Sequence, residues 1–158
     1  PIISISSFID GDLTAEENID FYSELRGLKK ADRKTFKHQV LKFTNYSDSE
    51  LLKPIKTFSH GMVSRLNFAI GIFDKNDIVL IDEALSVGDL DLVKKALAEI
   101  VKLKEAGKIV IMVSHTLWVM QSVCDVIGIL ENGTIIKEGN PTETIDYYES
   151  RNKKPIKP

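Results

Sequence analysis

The sequence predicts an α/β fold: a parallel sheet with helices on both faces, joined to a helical subdomain. Three observations predict it. Two short apolar runs, Ile78 to Ile81 and Ile109 to Val113, have the continuous hydrophobicity of strands buried on both faces. Amphipathic helical stretches alternate with them, which is the pattern of a covered parallel sheet. The first third of the chain, by contrast, looks helical. Of 158 residues, 43% are hydrophobic and 28% charged, with a single cysteine. These proportions suit an ordinary globular domain and argue against disordered, collagen-like and disulfide-stapled chains.

Charge and targeting signals narrow the function classes. Lys and Arg total 21 against 23 Asp and Glu, a formal net charge of −2, so no global field draws the chain to nucleic acid or anionic lipid. No nucleic-acid partner is expected. No apolar run approaches the roughly 20 residues that cross a bilayer, and the opening PIISISSF lacks the basic region and cleavage site of a signal peptide. A cytosolic chain is expected, and a lone Cys124 suits a reducing compartment. The chain opens at Pro1 without Met, and Ile2-Ile3-Ser4-Ile5 read as a strand already under way. A piece of a longer gene product is therefore expected.

The elements follow in order. Asp10, Asp12, Glu16, Glu17, Asp20 and Glu24 form an acidic block, and bases then predominate from Arg26 to Lys42; such blocks are usually solvated faces. Thr14 and Glu17 have capping-box spacing, so a helix over about 15–26 follows. A second, over about 31–44, is expected to bury Phe36, Val40, Leu41 and Phe43 and to leave His38 on its solvated side. Pro54 sets an extended approach to Thr57, Phe58 and Ser59. A helix over 61–73 presents Met62, Leu66, Ala69, Ile70 and Phe73 as one stripe and leads to the strand at Ile78. A helix over 89–106 is expected to bury Leu92, Ala96, Leu97, Ile100 and Leu103 and to stop at Gly107. After Val113 comes a short helix around Trp118 and Val119. A hairpin with strands at about 126–130 and 134–137 then flanks Asn132-Gly133, which suits a type I′ turn because both central positions need positive φ. Asn140, Pro141 and Glu143 supply a cap, a first-turn proline and an acid for a final helix. Residues 151–158 read as a flexible tail.

In open parallel sheets, ligands sit beyond the carboxyl ends of the strands. One strand ends in Asp82-Glu83 and the next is followed by Ser114-His115. An aspartate so placed can hold Mg²⁺ through its water shell, and a neighbouring glutamate can orient or deprotonate an attacking water. A histidine beside them can donate to a phosphate oxygen. Equally, the two acids can merely cap the loop and His115 the following helix; singly, each residue supports either reading. Phe58-Ser59-His60-Gly61-Met62 stands directly before an amphipathic helix, where Ser59, the Gly61 backbone and the helix N-terminus can offer donors to an anion or form an ordinary cap. His60, His115 and Cys124 lack metal-ligand spacing, and Cys124 suits a buried small hydrophobe. Trp118, Phe68 and the methionines suit core or interface positions, and adjacent Ser114 and His115 are poor geometry for a nucleophile and its base.

Read in order, Phe58 to Met62, the apolar strand with Asp82-Glu83, Leu85 to Asp89, and Ser114-His115 resemble the nucleotide-binding subunit of ATP-binding-cassette transporters over nearly the whole chain. Phe58 to Met62 resembles the family's signature motif, Asp82 its Mg²⁺-site acid, Glu83 its catalytic glutamate, Ser86 to Asp89 its dimer-contact loop and His115 its switch histidine. The signature and the run Ile81 to Asp89 are similar to the branch that exports cell-wall and surface polysaccharides. Ile5-Ser6-Ser7, Leu13-Thr14 and Glu17-Asn18-Ile19 are most similar to the teichoic-acid exporters within it. The resemblance implies a domain over 1–150 with a helical signature subdomain at about 12–73 and a partial P-loop NTPase-type core at about 74–150. It implies ATP and Mg²⁺ as ligands, with Ser59, His60, Gly61, Met62, Ser86, Gly88 and Asp89 at the nucleotide. A second copy closes head to tail, so that Ser59 and Gly61 act in trans while Asp82, Glu83 and His115 act in cis. An integral membrane permease is the other implied partner, the polysaccharide being contacted only indirectly. The implied location is the cytoplasmic face of the cell membrane.

The chain departs from the family pattern in three places. Nothing matches Gly-x-x-x-x-Gly-Lys-[Ser/Thr]: the sole Gly-Lys pair, Gly107-Lys108, is followed by Ile109, so the usual donors to the β- and γ-phosphates are missing from this sequence. Ile3 to Ser7 holds no glutamine of the kind that senses Mg²⁺ in many relatives. His60 replaces a small residue, and would add a phosphate contact as imidazolium but only crowd the turn as a neutral ring. Two other functions stay open. One is a degenerate, non-hydrolysing module that lends signature residues to a partner ATPase. The other is a soluble ATPase of the same superfamily unconnected with transport, in which a basic surface or coiled-coil insertion is expected; the sequence offers neither. A sheet without its opening strands would leave apolar edges uncovered, so self-association is also expected.

Overall fold

The computed structural model describes residues 2–3, 9–83 and 90–152. Of the residues singled out above, Ser86, Gly88 and Asp89 lie outside this set, as do Ile5, Ser6 and Ser7. The elements in chain order are β1 (Ile2–Ile3), α1 (Ala15–Leu25), α2 (Lys30–Thr44), α3 (Asp48–Leu51), a 3-10 turn (Ile55–Thr57), α4 (His60–Phe73), β2 (Ile78–Asp82) and α5 (Leu90–Glu105). They continue with β3 (Ile109–Val113), α6 (Leu117–Val123), β4 (Ile127–Glu131), β5 (Thr134–Gly139) and α7 (Pro141–Asn152). The chain forms two compact units, Pro1–Val113 and Ser114–Pro158.

In the first unit the start of α1 is fixed twice over. Thr14 Oγ1 accepts from the Glu17 amide at 3.3 Å while the Thr14 amide donates to Glu17 Oε2 at 2.8 Å, the capping box that the sequence predicts. Asn18, fully buried, donates to the carbonyls of Asp10 and Thr14 at 3.0 and 2.9 Å and accepts from the Asp10 amide at 2.7 Å. The same loop is stitched to a distant segment: the amides of Ile55 and Lys56 donate to the carbonyls of Leu13 and Gly11 at 2.9 and 2.8 Å. These bonds curl the chain after Pro54 into the 3-10 turn, where an extended run was expected. Phe58 and Ser59 are extended, with ψ of 150° and 158°. A second capping box, Ser47 with Glu50, starts α3.

The charge blocks are not simply solvated. Lys37 of α2 lies 2.8 Å from both Glu16 and Asp20 of α1, and Arg33 lies 2.7 Å from Glu24. These pairs are partly exposed and contribute under about 1 kcal/mol each, so they set register more than stability. Hydrogen bonds from Thr14 and Ser47 hold Glu17 and Glu50 below the usual carboxylate range. Both boxes therefore support the fold at neutral pH, and that support is lost as pH falls through the depressed values.

Helix α4 is buried on nearly all sides from Ser64 to Ile72, not on one stripe alone. It packs with α2, whose Phe36, Val40 and Phe43 are buried while Leu41 is only half so. Phe43 meets Phe68 and Phe73 at ring separations of 5.6 and 5.8 Å. His38 is exposed, as expected. At its C-terminus α4 ends at Asp74, 4% exposed, which accepts the Tyr22 hydroxyl at 2.7 Å and lies 2.9 Å from Arg26 Nε. Burial and the adjacent carboxylate push the Tyr22 pKa up, which keeps the phenol a donor.

The sheet is parallel, in the order β1-β2-β3, with Val79 opposite Val110 and Ile81 opposite Met112. Val79 and Ile81 are buried, whereas Ile78, Ile109, Ile111 and Val113 are half or more exposed. Between β2 and β3, α5 buries Val93, Ala96 and Ile100, leaving Leu92, Leu97 and Leu103 half-buried. The apolar arc of α5 is wide enough that its pattern alone does not settle which edge points inward. Gly107 takes φ +75° and ends the helix.

In the second unit β4 and β5 pair antiparallel, and Asn132 and Gly133 take φ of 49° and 80° as a type I′ turn demands. Asn140 Oδ1 accepts from the Thr142 amide at 3.0 Å and caps α7. That helix takes in Arg151 and Asn152, which the sequence assigns to the tail, and Arg151 lies 3.1 Å from Glu131. No helix among the described residues is long and apolar enough to cross a membrane.

The Asp74 cluster gives a ranked expectation. Asp74→Ala leaves the buried Tyr22 hydroxyl without this acceptor and should cost about 2–3 kcal/mol in urea unfolding. Arg26→Ala removes a partner that is 41% exposed and should cost under about 1 kcal/mol. The reverse order in the two midpoints would show that Asp74 does not anchor the end of α4.

Candidate functional site

The first polar cluster is the N-terminus of α4. Ser59 caps the helix, its Oγ accepting from the Met62 amide at 3.3 Å. The hydroxyl hydrogen of Ser59 is thereby left to point outward. The amides of His60 and Gly61 have no acceptor among the described residues, and the Ser59 and His60 side chains are exposed. A hydroxyl donor and two free N–H groups at the positive end of a 14-residue helix form a place where an anion is stabilised.

Two residues that sequence reasoning did not single out hold this turn. Tyr46 donates its hydroxyl to the Met62 carbonyl at 2.7 Å and packs edge-on against Phe58 at 5.1 Å between ring centres. Burial pushes the Tyr46 pKa up, so it remains a donor at ordinary pH. Arg65 Nη1 donates to the Thr44 carbonyl at 3.0 Å, tying the same turn to the end of α2. Their partners lie 16 and 21 residues away in sequence. No local pattern marks them.

The second cluster is the carboxyl end of β2. Asp82 is the last strand residue, pairs in register with Val113, and is exposed with no ion-pair partner among the described residues. Glu83 adds one more ladder bond, its amide donating to the Val113 carbonyl at 2.9 Å, and then turns the chain with φ of 48°. A left-handed conformation at a residue with a Cβ costs roughly 1–2 kcal/mol. Such strain collects at functional sites. It redirects the chain at the strand end, where ligands of parallel sheets bind. An unpaired aspartate at a strand end fits the water-mediated way in which Mg²⁺ is held beside nucleotide phosphates. No group of three or more His, Cys, Asp or Glu able to hold a metal by side chains alone occurs among the described residues.

No hydrogen bond or ion pair joins Asp82 to the turn at Ser59–Met62. His115 belongs to the second unit and is exposed. Thr116, not His115, occupies the cap position of α6, and Ser114 Oγ accepts from the Thr116 amide at 3.0 Å. That removes helix capping as the explanation of His115. Gly107-Lys108 is accounted for by helix termination and by an ion pair of 2.6 Å between Lys108 and Asp77.

Comparison with known proteins follows the same outline. No family model matches the chain. Teichoic acids export ATP-binding proteins from Lactiplantibacillus plantarum, Bacillus anthracis and Staphylococcus haemolyticus are 36%, 37% and 35% identical over 96%, 97% and 94% of the chain. The chain spans 42%, 28% and 56% of their respective lengths. Among solved structures, an ATP-binding subunit of an ABC transporter superposes with a TM-score of 0.79 at 20% identity, over 95% of this chain and 62% of its own. A dimeric ATP-binding cassette in a post-hydrolysis state with ADP and Pi gives 0.73 at 20% identity over 89% of this chain and 62% of its own. The chain is thus similar in sequence, along nearly its whole length, to teichoic acids export ATP-binding proteins, and it shares its fold with ATP-binding-cassette subunits.

Proposed function

We propose that these residues are the signature-bearing and acid-bearing part of the ATPase subunit of a teichoic-acid exporter. The carrying observation is the sequence likeness to three proteins of that one name, spread over 94–97% of the chain. The geometry supports it by leaving, among the described residues, donors free at one end of α4 and the Asp82 carboxylate unpaired at the end of β2. In this reading two copies close head to tail. Ser59 and the amides of His60 and Gly61, on the turn that includes Met62, reach the γ-phosphate of ATP held mainly by the other copy. Ser86, Gly88 and Asp89 contribute to that contact. The loop gripping the β- and γ-phosphates is not among these 158 residues.

Within one copy, Glu83 orients a water and accepts its proton as the oxygen attacks the γ-phosphorus in line. The bond to the bridging oxygen breaks, and ADP and phosphate leave. Asp82 would hold Mg²⁺, which when bound would offset phosphate charge. His115 donates to the γ-phosphate as negative charge develops. The subunit works from the cytoplasmic face of the membrane through a permease, and meets the polymer only through that partner.

Two variants of the gene product that carries these residues test the roles. Glu83→Gln should lower hydrolysis about a hundredfold or more while ATP stays bound; normal turnover would refute the role of Glu83. Absence of hydrolysis before any substitution would instead favour a non-hydrolysing partner module. At position 59, aspartate caps helices as well as serine does. Ser59→Asp should therefore keep the melting temperature yet suppress hydrolysis more than Ser59→Ala, because it sets a carboxylate against phosphate. Equal activity of Ser59→Asp and the parent would remove Ser59 from the phosphate site.

A further inference from the structure

A groove runs along α2 that Ser59, Asp82 and Glu83 do not line. Three adjoining cavities of ≈ 40, ≈ 350 and ≈ 430 Å³ share Gln39 and Phe73, and extend from Asp32 and Lys75 to Lys42 and Lys95. At 1.5 Å per residue, Asp32 to Lys42 spans roughly 15 Å of α2. The widest part has an apolar floor of Phe43, Phe73 and Ala98 between two cationic walls, Lys42 on α2 and Lys95 with Lys102 on α5. Lys42 and Lys95 are exposed, and neither has an ion-pair partner among the described residues. Lys102 pairs with Glu99 at 2.7 Å on the surface of the same helix, an i,i+3 contact weak enough to exchange. Three ammonium groups thus face one carboxylate across an apolar trough.

We propose that this groove docks an acidic amphipathic helix of a protein partner. A compact anion would use neither the apolar floor nor the length. A linear polyanion would leave Phe43 and Phe73 uncovered and would meet Glu99, and farther along the groove Asp74, at like charge. A helix lying across the mouth uses both features. Apolar side chains at i, i+3, i+4 and i+7 enter the cavities, and flanking carboxylates reach Lys42 on one wall and Lys95 on the other. The ≈ 430 Å³ space takes side chains, while the helix backbone stays outside.

The test uses the full chain and a labelled peptide of about 16 residues, long enough to be helical when bound, with leucines at i, i+3, i+4 and i+7 flanked by glutamates. Fluorescence anisotropy should show binding that weakens at least tenfold in the double variant Lys42→Glu/Lys95→Glu. The double variant should bind the peptide in which lysines replace the glutamates. Both positions are exposed, so its circular dichroism and melting should match the parent. Failure of the parent to bind the acidic peptide, unchanged affinity in the double variant, or no rescue by the basic peptide would overturn the proposal. So would inorganic polyphosphate, or phosphatidylglycerol vesicles, competing for the same lysines more strongly than the peptide.

Discussion

The burial of helix α4 is the constraint on which the first unit depends. From Ser64 to Ile72 this helix has almost no solvated side. A segment buried all round must have apolar neighbours all round, so α2 is bound to it through Phe43, Phe68 and Phe73. Buried Ser64 and Asn67 apart, its polar groups gather at the two ends, and each end has a task. The C-terminal end passes to Asp74, whose buried carboxylate is tolerated because Tyr22 and Arg26 of α1 reach it. The N-terminal end keeps its donors, capped by Ser59 and braced by Tyr46 and Arg65. The chain then enters β2, which ends in Asp82 and Glu83. One rigid path therefore links a cluster of donors to a pair of acids.

Much of this is legible in local sequence because its determinants are local. Thr14 to Glu17, Asn132-Gly133 and Asn140-Pro141 each act within a few residues, and each folds as its spacing predicts. Ser47 to Glu50 carries the same capping signal and produces α3, though it is easily passed over in a short polar stretch. Ser59, Asp82 and Glu83 are likewise marked by their places before a helix and after an apolar strand. Other features depend on distant partners. The 3-10 turn at Ile55 exists because Leu13 and Gly11 accept its amides, and Tyr46 matters because Met62 lies beside it in space. The inward edge of α5 is chosen by the neighbours that cover Val93, which no periodicity over a broad apolar arc can identify. The left-handed backbone at Glu83 leaves no mark in the sequence, because glutamate gives no hint of positive φ.

Separation of the two clusters gives the functional account its form. Free donors at Ser59 attract anionic oxygen, while Asp82 and Glu83 would repel it unless a cation or a water lies between. No hydrogen bond joins the serine turn to Asp82, and the proposed function resolves this by letting each cluster serve a different nucleotide. In that proposal the serine turn of one copy meets the acids of the other, so hydrolysis would depend on the pairing of two chains.

That dependence is tested most directly by mixing two inactive forms of the gene product, one carrying Ser59→Asp and the other Glu83→Gln, and measuring ATP hydrolysis. In a head-to-tail pair, one of the two sites in each mixed dimer receives an intact Ser59 from one copy and an intact Glu83 from the other. Recovery of activity on mixing is the predicted result. A mixture as inactive as either variant alone would mean that both residues serve the same copy's nucleotide, and would contradict the account.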